Sequence, residues 1–242
     1  FGLLLPVGQL IFWAILTYEE VSFLNLIEIA SQSFFVAFIA SLLILVVSTV
    51  LVYFSRWNSI PSIHIFKKVA TIGYVIPGAI IGIGVIRSSQ SFIDFFQNYF
   101  GLEIGYVFYG SSVVLIYAYL FRFLAVVFHP LEANSLKVGK NIAEASYLLR
   151  GGKIKTLLKI ELPLLKSTLI TSGVLVFIDV LKELPLTLIL KPYNLQTLAV
   201  KSYEYAEDER VAEASIPALM LILTIVIAMI GLSFFTESKG EK

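Results

Sequence analysis

No cysteine occurs among the 242 residues. That excludes disulfide frameworks, thiolate metal sites and cysteine nucleophiles. Charge is also scarce. Asp, Glu, Lys and Arg make up 14% of the chain, against about 25% in soluble domains. The 18 Lys and Arg nearly cancel the 17 Asp and Glu, leaving a net charge of +1. A soluble enzyme of ordinary type, a disordered chain and a basic nucleic-acid binder are therefore excluded. The two histidines, His64 and His129, lie far apart in sequence and read as structural. No nucleotide phosphate loop is present: Gly139-Lys140 is followed by Asn141 and lacks the upstream glycine. The first residues carry no basic region and no small-residue cleavage site, so they are not a signal peptide. The chain opens on Phe1 rather than Met, and reads as processed, renumbered or a piece of a longer chain.

What is abundant is apolar surface: 58% of residues, with a mean hydropathy of +0.88. Charge-poor apolar runs of about 18 residues read as membrane-spanning helices, because only a helix satisfies its own backbone in lipid. Six segments qualify: Phe1–Thr17, Phe34–Phe54, Val69–Ile86, Tyr106–Phe128, Ser167–Leu190 and Ile216–Phe235. The expected fold is thus all-α, a single membrane domain of six transmembrane helices over 1–242. Pro77 is expected to kink the third span. Gly78 and Gly82 form a small-xxx-small pair that permits close helix packing.

Basic residues set the orientation. Twelve Lys and Arg fall in segments 55–68, 129–166 and the tail, against four in the opposite segments. The first set is expected to be cytoplasmic, with both ends inside. Ten acidic residues fall outside, including Glu204, Glu207, Asp208, Glu209 and Glu213. That acidic run reads first as a solvated face, and otherwise as a docking surface for an external partner.

The inner loop 129–166 is longer than a minimal connection, and long loops tend to be functional or disordered. Asn141 can cap a helix, with Glu144 in capping-box relation. Gly151 and Gly152 would end that helix. A second amphipathic stretch follows, apolar at Ile154, Leu157, Leu158 and Ile160 and basic at Lys153, Lys155 and Lys159. Two readings stand: an interfacial helix on lipid headgroups, or an element docking into a groove of a cytoplasmic partner.

These residues carry a resemblance. Glu144-Ala145-Ser146, the Gly151-Gly152 pair and Ile160-Glu161-Leu162-Pro163 are similar to the EAA loop of ABC importer permeases. The family glycine falls on Arg150, and the glycine pair follows at once. Further segments resemble ferric-iron importer permeases: Gly73-Tyr74-Val75-Ile76-Pro77-Gly78, Tyr119-Leu120-Phe121-Arg122-Phe123, Lys182-Glu183-Leu184-Pro185-Leu186-Thr187-Leu188, Lys191-Pro192-Tyr193 and Thr197-Leu198-Ala199. The chain resembles the C-terminal half of such a permease.

The resemblance implies a transport subunit without catalytic residues, metal site or bound cofactor. ATP and Mg would sit on two partner cytoplasmic ATPase subunits. An external substrate-binding protein would deliver ferric iron, and a second six-helix half, in the same chain or a second copy, would complete the permease in a bacterial inner membrane. Glu144, Ala145, Ser146, Gly151, Gly152, Ile160, Leu162 and Pro163 would form the coupling loop. The same scaffold also suits thiamine or a small oxyanion. A secondary transporter or channel, with the loop only lying on the membrane, is the reading from a different class.

Ionisable residues within spans are costly and often functional. Asp179, Lys182 and Glu183 share one face of the fifth span by their spacing, and with Pro185 they are candidates for a translocation path or its gate. Local pairing of Asp179 with Lys182 is the plainer reading. Pro185 is expected to end the helix at Leu184. Arg122 is expected to snorkel to the interface.

Overall fold

The computed structural model describes residues 2, 4–57, 65, 67, 68, 71–105, 111–137 and 152–237. The described residues are helical, with no strand among them. The helices are α1 (Leu4–Thr17), α2 (Phe23–Trp57), α3 (Gly78–Phe100), α4 (Val113–Lys137), α5 (Lys153–Thr156), α6 (Leu162–Leu164), α7 (Lys166–Leu181), α8 (Pro185–Leu190), α9 (Leu198–Glu207) and α10 (Ser215–Glu237). A 3₁₀ turn, Ile72–Tyr74, precedes α3, and a π turn, Leu157–Glu161, joins α5 to α6.

Among the described residues, α2, α3, α4 and α10 are each long and apolar enough to cross a membrane. The α5–α6 arm and α7 together make a fifth candidate, bent by 75°. α1 is apolar but only 14 residues long, roughly 21 Å. The all-helical membrane architecture therefore agrees with the sequence, while the described residues give four full-length spans and a fifth, bent one.

The boundaries differ for physical reasons. The apolar run Val69–Ile86 is not one helix. α3 begins at Gly78, directly after Pro77 (φ −56°). Pro lacks an N–H and its ring clashes with the carbonyl four residues back, so it belongs at a helix start. Pro77 thus opens α3 instead of kinking a span. Its carbonyl accepts from both Ile80 and Ile81. The helix then continues through the expected outer loop to Phe100. It ends at Gly101, whose φ of +66° is the left-handed conformation glycine adopts at little cost.

The fifth run is likewise divided. α7 stops at Leu181, three residues earlier than Pro185 alone demands, and Lys182 caps it by donating to the Ile178 carbonyl. Pro185 instead occupies the first turn of α8.

α2, α4 and α7 form the centre. Ala37, Ala40 and Ile44 of α2 meet Leu115, Ala118, Phe123 and Val127 of α4, with Val176 and Val180 of α7 closing the cluster. Small residues at 37, 40 and 118 allow close approach, since helix association in lipid depends on packing contact. α10 and α1 lie outside this core. α10 joins it through a smaller cluster of Leu26, Ile29 and Leu198 with Ile216 and Met220.

Candidate functional site

Two helix breaks meet one arginine. The first break, Val75–Pro77, leaves the Ile76 carbonyl outside any helical ladder. Arg122, ten residues into α4, donates to it from Nη1 at 3.0 Å. The second break, Lys182–Leu184, presents Glu183, whose Oε2 lies 3.2 Å from Arg122 Nε. Irregular backbone at membrane depth is tolerated only where protein or a cavity satisfies it. Here a charged pair does so for both breaks. The Arg122 guanidinium also rests 5.5 Å from the Phe123 ring centroid.

Glu183 has a second task. Its Oε1 accepts from the Leu186 amide at 3.2 Å, holding the start of α8. Its backbone carbonyl accepts from Thr187 Oγ1 at 2.6 Å. Thr187 has a single hydroxyl proton, so the 2.6 Å contact between Thr187 Oγ1 and the Tyr119 hydroxyl requires Tyr119 to donate. Tyr119, Thr187 and Glu183 are all buried.

Glycine makes this approach possible. A Cβ on Gly78 would lie 2.6 Å from Glu183 Oε1 and 2.8 Å from Arg122 Nη1. A Cβ on Gly73 would overlap the Phe121 carbonyl oxygen. Gly82 faces Ile189 of α8, where a Cβ would come within 3.1 Å. The expected small-residue packing is present, directed at α8.

The structure therefore separates the three charges that share a face by spacing. Asp179 and Lys182 pair with each other at 2.9 Å, with Lys182 more than half exposed. Glu183 turns inward to Arg122 because the helix has already ended. Pro185 positions α8. Arg122, expected to snorkel, is committed to Glu183 and Ile76. Arg122, Tyr119 and Thr187 are site residues that spacing did not single out, and Gly78, singled out for helix packing, also belongs to the site. The available signal was one arginine and one glutamate in separate apolar runs.

The arm from Lys153 to Leu164 is the second region. Glu144, Ala145, Ser146 and Gly151 lie outside the described residues, as does the Asn141 cap. Gly152 opens α5 in an extended conformation. Ile160 and Leu162 are half-buried and Pro163 is exposed. The apolar face divides: Leu157 packs on the core, whereas Ile154 and Leu158 point outward at 69% and 59% exposure. With Lys153, Lys155 and Lys159 they bound a shallow surface cleft. The inward positions are Thr156 and Glu161, at 1% and 2% exposure. Glu161 Oε1 lies 3.7 Å from Arg56 Nη1 at the end of α2.

Two residues of the acidic run, Glu204 and Glu213, are paired with neighbouring cations. Glu204 lies 3.5 Å from Lys191 and 3.7 Å from Lys201. Arg210 Nε donates to Glu213 at 2.9 Å, and this bond holds the Glu213 carboxyl below the usual carboxylate range. Among the described residues no cluster of three His, Cys, Asp or Glu is placed to hold a metal.

Comparison with known proteins agrees with the membrane architecture. No family model matches the chain. It is 25% identical over 222 residues to the Fe(3+)-transport system permease protein FbpB 2 of Haemophilus influenzae, covering 90% of this chain and 41% of that protein. It is 28% identical over 162 residues to the ferric transport system permease protein FbpB of Actinobacillus pleuropneumoniae, covering 64% of this chain and 23% of that protein. NifC of Clostridium pasteurianum, named as a transport system permease, is 25% identical over 161 residues, 64% of this chain and 55% of that protein. The chain thus spans between about a quarter and just over half the length of these relatives. Over most of its own length it is similar to the permease proteins of ferric transport systems.

Proposed function

We propose that the chain is the membrane-spanning part of an ATP-binding-cassette importer permease that passes ferric iron. The observation that carries this reading is the similarity to an Fe(3+)-transport permease over 90% of the chain. In this reading the chain performs no covalent chemistry. Two cytoplasmic ATPase subunits bind ATP and Mg, an external binding protein delivers iron, and a second six-helix half completes the permease.

The proposed topology has six crossings with both ends cytoplasmic. α1, α2, α4 and α10 are four of them. The third crossing is divided near Pro77, and the fifth consists of α7 with α8. The excess of basic residues in segments 55–68 and 129–166 supports this orientation. The loop containing Glu144, Ala145, Ser146, Gly151 and Gly152 docks in a groove of the ATPase. The arm carrying Ile160, Leu162 and Pro163 passes its movement to α7 across the bend at Leu165.

Glu183 and Pro185 form the hinge through which α7 moves relative to α8. The Arg122–Glu183 pair holds one arrangement of that hinge. Driving the alternative arrangement requires an input that favours it by differential binding; ATP-dependent closure of the partner subunits supplies that input. Asp179 and Lys182 lie on the more exposed side of the same hinge.

Purification of the full transporter from native membranes tests the assignment. A stable complex with a phosphate-loop ATPase is expected. Iron uptake driven by an ion gradient, with no ATPase present, would overturn it.

A further inference from the structure

Besides the apolar packing of Leu157 and Leu162, the arm is tied to the bundle at two places, one covalent and one ionic. At Leu165 the chain continues into α7 through a 75° bend. One turn earlier, Glu161 is almost fully buried beside Arg56, which belongs to the last turn of α2. Glu161 closes the π turn Leu157–Glu161, a geometry that occurs mostly as single turns and is frequent at functional sites. Arg56 is itself held. Its guanidinium lies 5.6 Å from the ring centroid of Tyr53, one turn back and 1% exposed. Tyr53, Leu131 and Leu165 belong to one buried core, with Leu157 and Leu162 packed against it.

We infer that the Arg56–Glu161 pair is a second fulcrum of the arm, through which arm movement reaches α2 as well as α7. A carboxylate buried this deeply is retained at a cost in desolvation unless a cation answers it. Its best-attested use is to fix one arrangement among several that packing alone would permit. The bend at Leu165 is a place where α7 can lag behind the arm. A charge pair anchored on a fully buried tyrosine cannot lag in the same way. An arm tied to both helices cannot shift without displacing both, so α2 and α7 move together.

The transport consequence rests on the proposed coupling to a cytoplasmic ATPase; the attachment itself does not. The test uses the cysteine-free background. Ile154→Cys on the arm and Val50→Cys on α2, both exposed, receive spin labels in the full chain in lipid nanodiscs. Pulsed electron resonance should give one narrow distance. Glu161→Gln should broaden it, Arg56→Gln should broaden it similarly, and Arg56→Glu combined with Glu161→Arg should restore it. An unchanged distance in both single variants overturns the attachment, even if neither variant transports. In the assembled transporter, Glu161→Gln should retain ATP hydrolysis and lose ATP-dependent uptake, with recovery in the swapped pair. A broadened distance with uptake fully coupled overturns the relay. Failure of the unaltered chain to associate with any ATPase refutes the proposed function while leaving the distance measurement to decide the attachment.

Discussion

Replacing Glu183 by alanine removes three things at once. The Arg122 guanidinium loses a carboxylate at 3.2 Å, the Leu186 amide loses its acceptor, and the cradle over Gly78 empties. Breaking a fully buried ion pair by deleting one partner costs about 3–5 kcal/mol. Arg122 is one-fifth exposed and keeps its bond to Ile76, so the charge term falls to about 1–3 kcal/mol. The unpartnered Leu186 amide adds about 1 kcal/mol. The expected total is about 2–4 kcal/mol, or a melting shift of about 4–16 °C for a chain of this size. Glu183→Gln keeps an oxygen for Leu186 and should cost less. Thermal unfolding in nanodiscs, followed by the fluorescence of the two tryptophans, measures both. A double-mutant cycle with Arg122→Gln should return a coupling of about 1–3 kcal/mol. Additivity of the two single variants within about 0.5 kcal/mol would refute the claim that the pair holds the two breaks together.

The remaining predictions concern its neighbours and the two surfaces. Thr187→Val strands the buried Tyr119 hydroxyl and should cost about 1–3 kcal/mol, more than Tyr119→Phe, which removes that hydroxyl; equal losses in unfolding experiments would contradict the buried Tyr119–Thr187 bond. Gly73→Ala, blocked by backbone, should destabilise more than Gly78→Ala, where side-chain ends can shift, whereas Gly84→Ala meets nothing within 4 Å and should be neutral or slightly stabilising. Glu213 is held below the usual carboxylate range by Arg210, so its contribution is complete at neutral pH and disappears as pH falls through that lowered value; hydrogen exchange at Ala214 and Ser215 should rise there, and Glu213→Gln should remove the pH dependence. Glu144→Lys should uncouple ATP hydrolysis from transport in the assembled importer; normal uptake would remove Glu144 from the docking role.

Most of the helical content was legible because apolar runs without charge have few alternatives in lipid. The cores of α2, α4 and α10 follow from that alone. The breaks were less legible. Pro77 and Pro185 mark them, yet proline both kinks and initiates helices, and only the tertiary position decides which. At Pro77 a carbonyl-binding arginine waits on α4, which makes initiation the stable outcome. Glu183 was visible as a costly charge, but spacing on an ideal helix assigned it to Asp179 and Lys182. The helix ends at Leu181, so the helical periodicity no longer applied. Arg122 was misjudged because snorkelling is the cheaper solution only when no carboxylate lies within the bundle. Glu161 stood inside a recognisable motif as its unremarked second residue, and its partner Arg56 is about a hundred positions away in sequence.

ATP-dependent accumulation of ⁵⁵Fe(III) in proteoliposomes is the most direct measurement of the central claim. The vesicles should hold the complete transporter containing this chain, with its ATPase and external binding protein. Iron uptake should require ATP on the ATPase side and the binding protein on the opposite face, and should be lost in Glu183→Gln. Iron accumulation at the same rate without ATP, or ATP-driven uptake of a different solute with none of ferric iron, would contradict it.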